Sequence, residues 1–338
     1  DPDTFFNNMG YSHINPKVIR KLEDVDFSIQ DIETALGELK TSSAAGPDGW
    51  PAYLLKQYRH RLAPCIYKIW RKSMDTGVMP EGINKANINP IFKGGERCLA
   101  ANYRPISLTS HLTKTFERVV RRKIIEHLVY NNLMNNSQHG FVAGRSTITQ
   151  LIKYYTDILE MLEKNTHVDC VYLDFAKAFD KCDHGVILHK LRGLGIKGKL
   201  GIWLHGFLTK RMQSVCVSGA RSEEEWVTSG VPQGSVLGPL LFSILLSDIT
   251  KGITMANVLS FADDTKIYRG VVDEEDQRLL QKDLASLYYW ADENNQEFNT
   301  GKFDTVRFGF DDQSGGSYMN PEGGIIVRKN TVKDLGIL

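Results

Sequence analysis

The chain is 338 residues long, 42% hydrophobic and 24% charged, a composition that supports a packed core and excludes a disordered polyelectrolyte. That length exceeds what one core usually serves, so two or three lobes are expected. The net charge of +1 excludes a uniformly basic or acidic body but conceals a local imbalance: Pro51 to Lys123 holds fifteen Lys and Arg against four Asp and Glu, and Val271 to Asp304 holds three against nine. A basic lobe on a neutral body fits a polyanion held through phosphate contacts; it fits equally the solvated face of a helix, such as one carrying Arg118, Arg121, Arg122 and Lys123. Even the longest apolar runs, such as Val236 to Leu246, fall short of a bilayer, and the polar, acidic Asp1 to Asn8 is unlike a signal peptide. Five cysteines, odd in number and without CxxC spacing, point to a reduced, intracellular compartment and give no support to zinc. The chain opens without Met and stops within the apolar Val332 to Leu338, which suggests a piece of something longer.

In chain order, Ser28 and Asp31 predict a capped amphipathic helix with Ile32, Leu36 and Leu39 inward, ending near Lys40. Ala45-Gly46-Pro47-Asp48-Gly49 has turn chemistry throughout and reads as a loop. A second, basic helix is predicted over roughly Ala52 to Met74. Two short strands then follow, around Ile88 to Lys93 and Asn102 to Leu108, and a hairpin would set Lys93 and Arg104 across from each other. Such a pair suits a triphosphate, Lys as a point charge and Arg as a fork; it also suits an ordinary charged surface.

A helix from about Leu112 to Tyr130 leads to Gln138-His139-Gly140-Phe141 and Gly144-Arg145-Ser146-Thr147. Ser146 is a good N-cap for the next helix, whose Ile148, Leu151, Ile152, Tyr155, Leu159 and Leu162 are expected to form one core stripe. The strand Val168 to Phe175 ends on Asp174, and an ionised carboxylate closing an apolar strand needs a partner.

Helices are predicted at His184 to Leu194 and Gly201 to Thr209, then a hairpin of Gln213 to Ser218 with Trp226 to Ser229. Gly230-Val231-Pro232-Gln233-Gly234-Ser235 enters the apolar helix Leu240 to Ile249; its glycines allow the backbone to lie against a ligand or base pair, or serve a plain strand-to-helix connection. The stretch Val258 to Tyr268 reads as strand, turn, strand with Asp263 and Asp264 at the turn. Adjacent side chains on an extended chain diverge, so the two acids converge only through a bend, and their repulsion calls for a hard cation such as Mg²⁺ or for solvent. Asp174 is the natural third carboxylate if the two strands are neighbours. A helix over Asp273 to Asn294 with Leu280, Leu284, Leu287 and Ala291 inward, a strand to Phe310 and a Gly-rich hairpin tip at Ser314 to Gly324 complete the chain. With no repeat or low-complexity linker, the lobes must interleave.

Together, Asn102-Tyr103-Arg104-Pro105-Ile106-Ser107-Leu108, Gln138-His139-Gly140-Phe141 with Gly144-Arg145-Ser146-Thr147, Tyr172-Leu173-Asp174-Phe175-Ala176-Lys177-Ala178-Phe179-Asp180, Gly230 to Ser235 and Phe261-Ala262-Asp263-Asp264 resemble, in order, the motifs of a reverse transcriptase. In wording and spacing they are most similar to those of non-LTR (LINE-like, jockey-type) retrotransposons, and the similarity runs from about Leu39 to Leu338. The resemblance implies an α+β right-hand polymerase of fingers and palm, the palm an antiparallel sheet packed on helices, with the thumb absent. It implies an N-terminal extension over residues 1–50, fingers over 51–165 with part of the palm interleaved, and palm over 166–338 ending at the primer grip, which Lys333 to Leu338 begins to resemble. Endonuclease, zinc-knuckle and RNase H motifs are not seen.

The implied activity is RNA-directed DNA polymerisation, with an RNA template, a DNA primer and dNTPs as partners, no membrane, and nuclear residence. Asp174 and Asp263 would bridge two Mg²⁺ ions, with Mn²⁺ able to substitute; Asp264 would assist, and the backbone carbonyl of Phe175 would be a further ligand. Phe179 matches the steric gate against a ribose 2′-OH, and Lys93 and Arg104 match the residues that hold the triphosphate. Gln233 and Gly234 match the loop under the incoming nucleotide, Lys302 matches a lysine near the pyrophosphate that can act as general acid, and Gly46 to Gly49 matches an N-terminal motif near the template. Lys181-Cys182-Asp183-His184 departs slightly from the family's usual run without touching an implied ligand. Two other classes remain open: a non-catalytic nucleic-acid-binding remnant, and an RNA polymerase copying RNA, which would prefer a small or polar residue where Phe179 stands.

Overall fold

The computed structural model describes residues 17–142, 144–164, 167–309 and 317–337. The described elements begin with α1 (Ile29–Gly37), α2 (Ala52–Gln57), α3 (Arg59–Thr76), β1 (Lys85–Phe92), β2 (Tyr103–Thr109) and α4 (His111–Tyr130). Next come α5 (Thr147–Leu162), β3 (His167–Leu173), α6 (His184–Gly193), α7 (Gly198–Thr209), β4 (Met212–Val217), β5 (Ala220–Arg221), β6 (Glu225–Trp226) and α8 (Gly238–Leu245). The chain continues with β7 (Asn257–Phe261), β8 (Asp264–Val271), α9 (Glu274–Glu293), β9 (Asp304–Gly309) and β10 (Val327–Arg328). Residues 1–16 of the expected N-terminal extension, the strand end at Phe310 and the start of the expected hairpin tip, residues 314–316, lie outside the described residues.

The chain forms two compact units, each built from two separate stretches: residues 17–134 with 182–244, and 135–181 with 245–337. In the first, β1 pairs antiparallel with β2 and parallel with β4, which also carries the short β5 and β6. Helices α3, α4 and α7 meet in an aromatic core: Trp70 stacks on Phe116 with centroids 4.7 Å apart, Trp203 meets Phe116 edge-on at 5.2 Å, and the Trp203 indole donates to Ser73 Oγ at 3.1 Å. Each such ring buries a large apolar area, and the buried indole N–H finds its acceptor.

In the second unit, five strands run in the order β10-β9-β3-β8-β7, with β3 central and antiparallel to both neighbours. Tyr154 and Ile158 of α5 pack with Val168, Cys170, Leu259 and Tyr268 of the sheet, and α9 buries Leu280, Leu284, Leu287, Trp290 and Ala291. Mixed helices and sheets of this kind are the expected α+β class.

The capping boxes form as the residue types require: Ser28 with Asp31 opens α1 and Ser146 with Thr149 opens α5. Two expectations are corrected. The single helix from Ala52 to Met74 is two, broken at Tyr58, whose φ of −99° and ψ of 19° lie outside the helical region; Pro64 falls inside α3, where it has no N–H to donate to the carbonyl of His60. The α5 stripe is also split: Leu151, Tyr154 and Ile158 are buried, whereas Ile148, Ile152, Tyr155 and Leu159 are exposed. Among the described residues no helix is long and apolar enough to cross a membrane.

Candidate active site

Strands β7 and β8 form a hairpin whose last register pair is Phe261 with Asp264, leaving Ala262 and Asp263 as a two-residue turn. Ala262 has a φ of 57°, the left-handed region that bends the chain sharply and that side-chain-bearing residues seldom occupy. Strand β3 pairs with β8 up to Leu173 opposite Thr265, so one further step brings Asp174 to Asp264. The third carboxylate therefore arrives where the strand reading placed it, beside the acidic turn.

Asp174 and Asp264 line one cavity of about 190 Å³ with Lys266, Lys302, Asp304 and Asp334. Asp264 is exposed at its surface, yet its carboxyl is pushed up to about 6, first by partial desolvation and then by the charges of Asp263, Asp174 and Asp334. Like charges crowd here and a cation relieves them. In this structure the cation on Asp174 is Lys302, whose Nζ donates to Oδ2 at 2.8 Å from a short helical turn, Thr300–Lys302.

Among the described residues no three His, Cys, Asp or Glu side chains already close around one point as a metal cage. The donor set nevertheless suits Mg²⁺, which takes one or two carboxylates and leaves its other positions to water and phosphate. Phe175 is buried, stacked on Phe298 with centroids 4.4 Å apart, while the carbonyl of Asp174 accepts from Asn299 N at 2.8 Å. These bonds pin the backbone just past β3. Phe179 stands half-buried with Phe141 edge-on to it at 5.9 Å.

The remaining candidates lie in the first unit. Lys93 and Arg104 are both exposed, but the register sets Arg104 opposite Ile91, and Lys93 N donates to the carbonyl of Asn102 at 2.8 Å. The two cations are thus diagonal neighbours, two residues off the direct opposition expected for them, within reach of one multi-phosphate group. The Gln233 carbonyl accepts from Ser107 N at 2.7 Å, and a Cβ on Gly234 would fall 2.6 Å from the Ser107 carbonyl. The close approach that this glycine permits is therefore to β2 itself. Glu117, fully buried with its carboxyl raised by desolvation, accepts from Val236 N at 2.7 Å and Leu237 N at 2.8 Å and holds the loop's far end. Gly46 packs against the backbone of Thr109 and Ser110, and Ser110 Oγ donates to Asp48 Oδ2 at 2.5 Å.

Sequence reasoning missed three features. Buried Lys266 pairs with Asp334 and lies 4.2 Å from the Tyr154 ring centroid. Its signal was available, because alternation along β8 puts it on the face of Asp264. Asp169, fully buried on β3, meets Arg307 through two bonds at 2.7 and 2.8 Å and accepts from Tyr318 at 2.7 Å; the argument that singled out Asp174 applied to it equally. Gln138 contacts the acidic turn directly.

Residues 83–337 match the family described as reverse transcriptase (RNA-dependent DNA polymerase). The chain is 30% identical to the RNA-directed DNA polymerase from mobile element jockey of Drosophila funebris over 295 residues, covering 83% of this chain and 32% of that protein. It is 28% identical to the probable RNA-directed DNA polymerase from transposon BS of Drosophila melanogaster, covering 78% of this chain and 30% of that protein. The chain spans about a third of the length of these curated relatives. A solved structure of apo telomerase from Candida tropicalis, truncated from its C-terminal domain, is similar in fold with a TM-score of 0.52 at 12% identity, covering 76% of this chain and 57% of that one.

Proposed function

The chain belongs to the reverse transcriptase family, and from that premise we propose that it is the RNA-directed DNA polymerase core of a non-LTR retrotransposon, extending a DNA primer on an RNA template with dNTPs. The observation that carries the reading is the register of β3 on β8, which sets Asp174 beside Asp264 in the lining of one cavity. Asp174, Asp263 and Asp264, with the Phe175 carbonyl, would hold two Mg²⁺ ions, or Mn²⁺ in their place. Such ions, when bound, lower the pKa of an attacking hydroxyl and neutralise the departing pyrophosphate.

The chain's own residues do the rest. Lys302 neutralises Asp174, and where that carboxylate holds a metal ion the Lys302 ammonium would be a proton donor for the leaving group. The Phe179 ring fills the space of a 2′-hydroxyl and favours deoxynucleotides. Lys93 and Arg104 hold a triphosphate, and Gln233 and Gly234 support the nucleotide through a loop anchored on β2. Residues 51–165 serve as fingers with part of the palm interleaved and 166–338 as palm, and residence in the nucleus belongs to the same reading.

Primer extension on RNA and DNA templates, with and without Mg²⁺, tests this. Incorporation is expected to need Mg²⁺ and to disappear in Asp263→Asn. Salt-sensitive RNA binding that ignores both Mg²⁺ and the aspartates, without incorporation, would favour the non-catalytic remnant instead.

A further inference from the structure

The acidic turn depends on a residue outside its own hairpin. Gln138 is 2% exposed, and its Oε1 accepts from Ala262 N at 3.0 Å and from Gly140 N at 2.7 Å, while Nε2 donates to the Ala262 carbonyl at 3.2 Å. A carboxamide offers one acceptor and one donor side by side, and here they meet the N–H and the C=O of a single residue. That residue is Ala262, whose φ of 57° is rare for a side chain with a Cβ.

The backbone around Gln138 is built to deliver this contact. Gln138 bridges Ser260 in parallel, His139 N donates to the Ser260 carbonyl at 2.8 Å, and Ser260 N donates to the Ser137 carbonyl at 2.8 Å, so the segment runs along β7 as an added edge. At Gly140 a Cβ would lie 2.3 Å from Ala262 N, so only glycine allows the approach. Arg145 ties the loop down from the other side, donating to the carbonyls of Asn135, Asn136 and Gln138 at 3.1, 3.1 and 2.6 Å.

We propose that Gln138 is the positioning residue of the acidic turn: by bracketing both backbone polar groups of Ala262 it holds the left-handed bend that aims Asp263 and Asp264 for cation binding. The proposal rests on the metal reading above. Residues that orient metal ligands from outside typically change affinity by about 10- to 100-fold when lost.

The test uses the full chain with Mn²⁺ alone as probe, titrated by the paramagnetic signal of the free ion, together with amide exchange over residues 258–268 in metal-free protein. Gln138→Leu is expected to weaken Mn²⁺ binding about tenfold and to speed exchange at Ala262. Adding Ala262→Gly, which tolerates the bend without support, is expected to restore much of the affinity. A role in packing alone would leave the double variant no better than the single one, and that result overturns the proposal. Unchanged Mn²⁺ affinity in Gln138→Leu, with Asp264→Asn binding far more weakly than the parent, overturns it as well. Should Asp264→Asn bind Mn²⁺ as the parent does, the metal reading falls instead, and exchange alone judges the clamp: faster exchange in Gln138→Leu supports the bracket and unchanged protection overturns it. If Gln138→Leu does not fold, Gln138→Glu is read in its place; it keeps the accepted bonds and loses the donated one, so an intermediate loss supports the proposal and no loss overturns it.

Discussion

The carboxyl of Asp264, pushed up to about 6, keeps its proton in the folded protein over a range where an ordinary aspartate has released it. Between roughly pH 4 and pH 6 the native chain therefore binds more protons than the unfolded one, and this group's contribution makes metal-free stability fall as pH rises. Asp264→Asn is expected to melt at a higher temperature than the parent at pH 7, with the two converging near pH 4; a variant no more stable at pH 7 would contradict the crowding of charge. The ring pair is the other residue-scale device. Phe141, itself at a φ of 62°, braces Phe179 edge-on. If Phe179 is the sugar gate, Phe141→Ala frees its ring, and ribonucleotide use in primer extension should rise by about tenfold or less, because the gate stays present but loses its brace. Discrimination identical to the parent would show that the brace does nothing.

The buried face of α5 differs from the stripe that its sequence predicts. Its apolar residues cover two arcs roughly 100° apart round the helix, and periodicity alone does not say which arc a sheet will cover. The sheet covers Leu151, Tyr154 and Ile158, and leaves Ile148, Ile152, Tyr155 and Leu159 in solvent. Those buried contacts make α5 part of the sheet's core even though it lies upstream of the expected palm boundary. A fragment of residues 166–338 lacks Tyr154 and Ile158 and is expected to show no cooperative thermal transition by circular dichroism. A sharp melt with native-like amide protection in β3 would refute that. On the same sheet, Asp169 with Arg307 and Tyr318 closes a buried charge completely, which is what such a group requires.

For the whole molecule, the chain passes between its two units three times, after residues 134, 181 and 244, so neither unit is a contiguous piece. Much was nevertheless legible beforehand. The capping pair of Ser28 and Asp31, the N-cap Ser146, the inward face of α9 and the turn at Asp263 all depend on residues within a few positions of one another, and a short window encodes them. The ordered motifs likewise carried the family before any coordinate did. Contacts between distant positions were fixed by the folded chain alone: Lys302 on Asp174 across 128 residues, Gln138 on Ala262 across 124, Lys266 on Asp334 across 68, and the two-residue offset of Lys93 from Arg104. Strand register and loop closure settle such pairs through the packing of whole sheets, where a slip of one residue would turn every side chain to the other face, and no local stretch of sequence contains that balance.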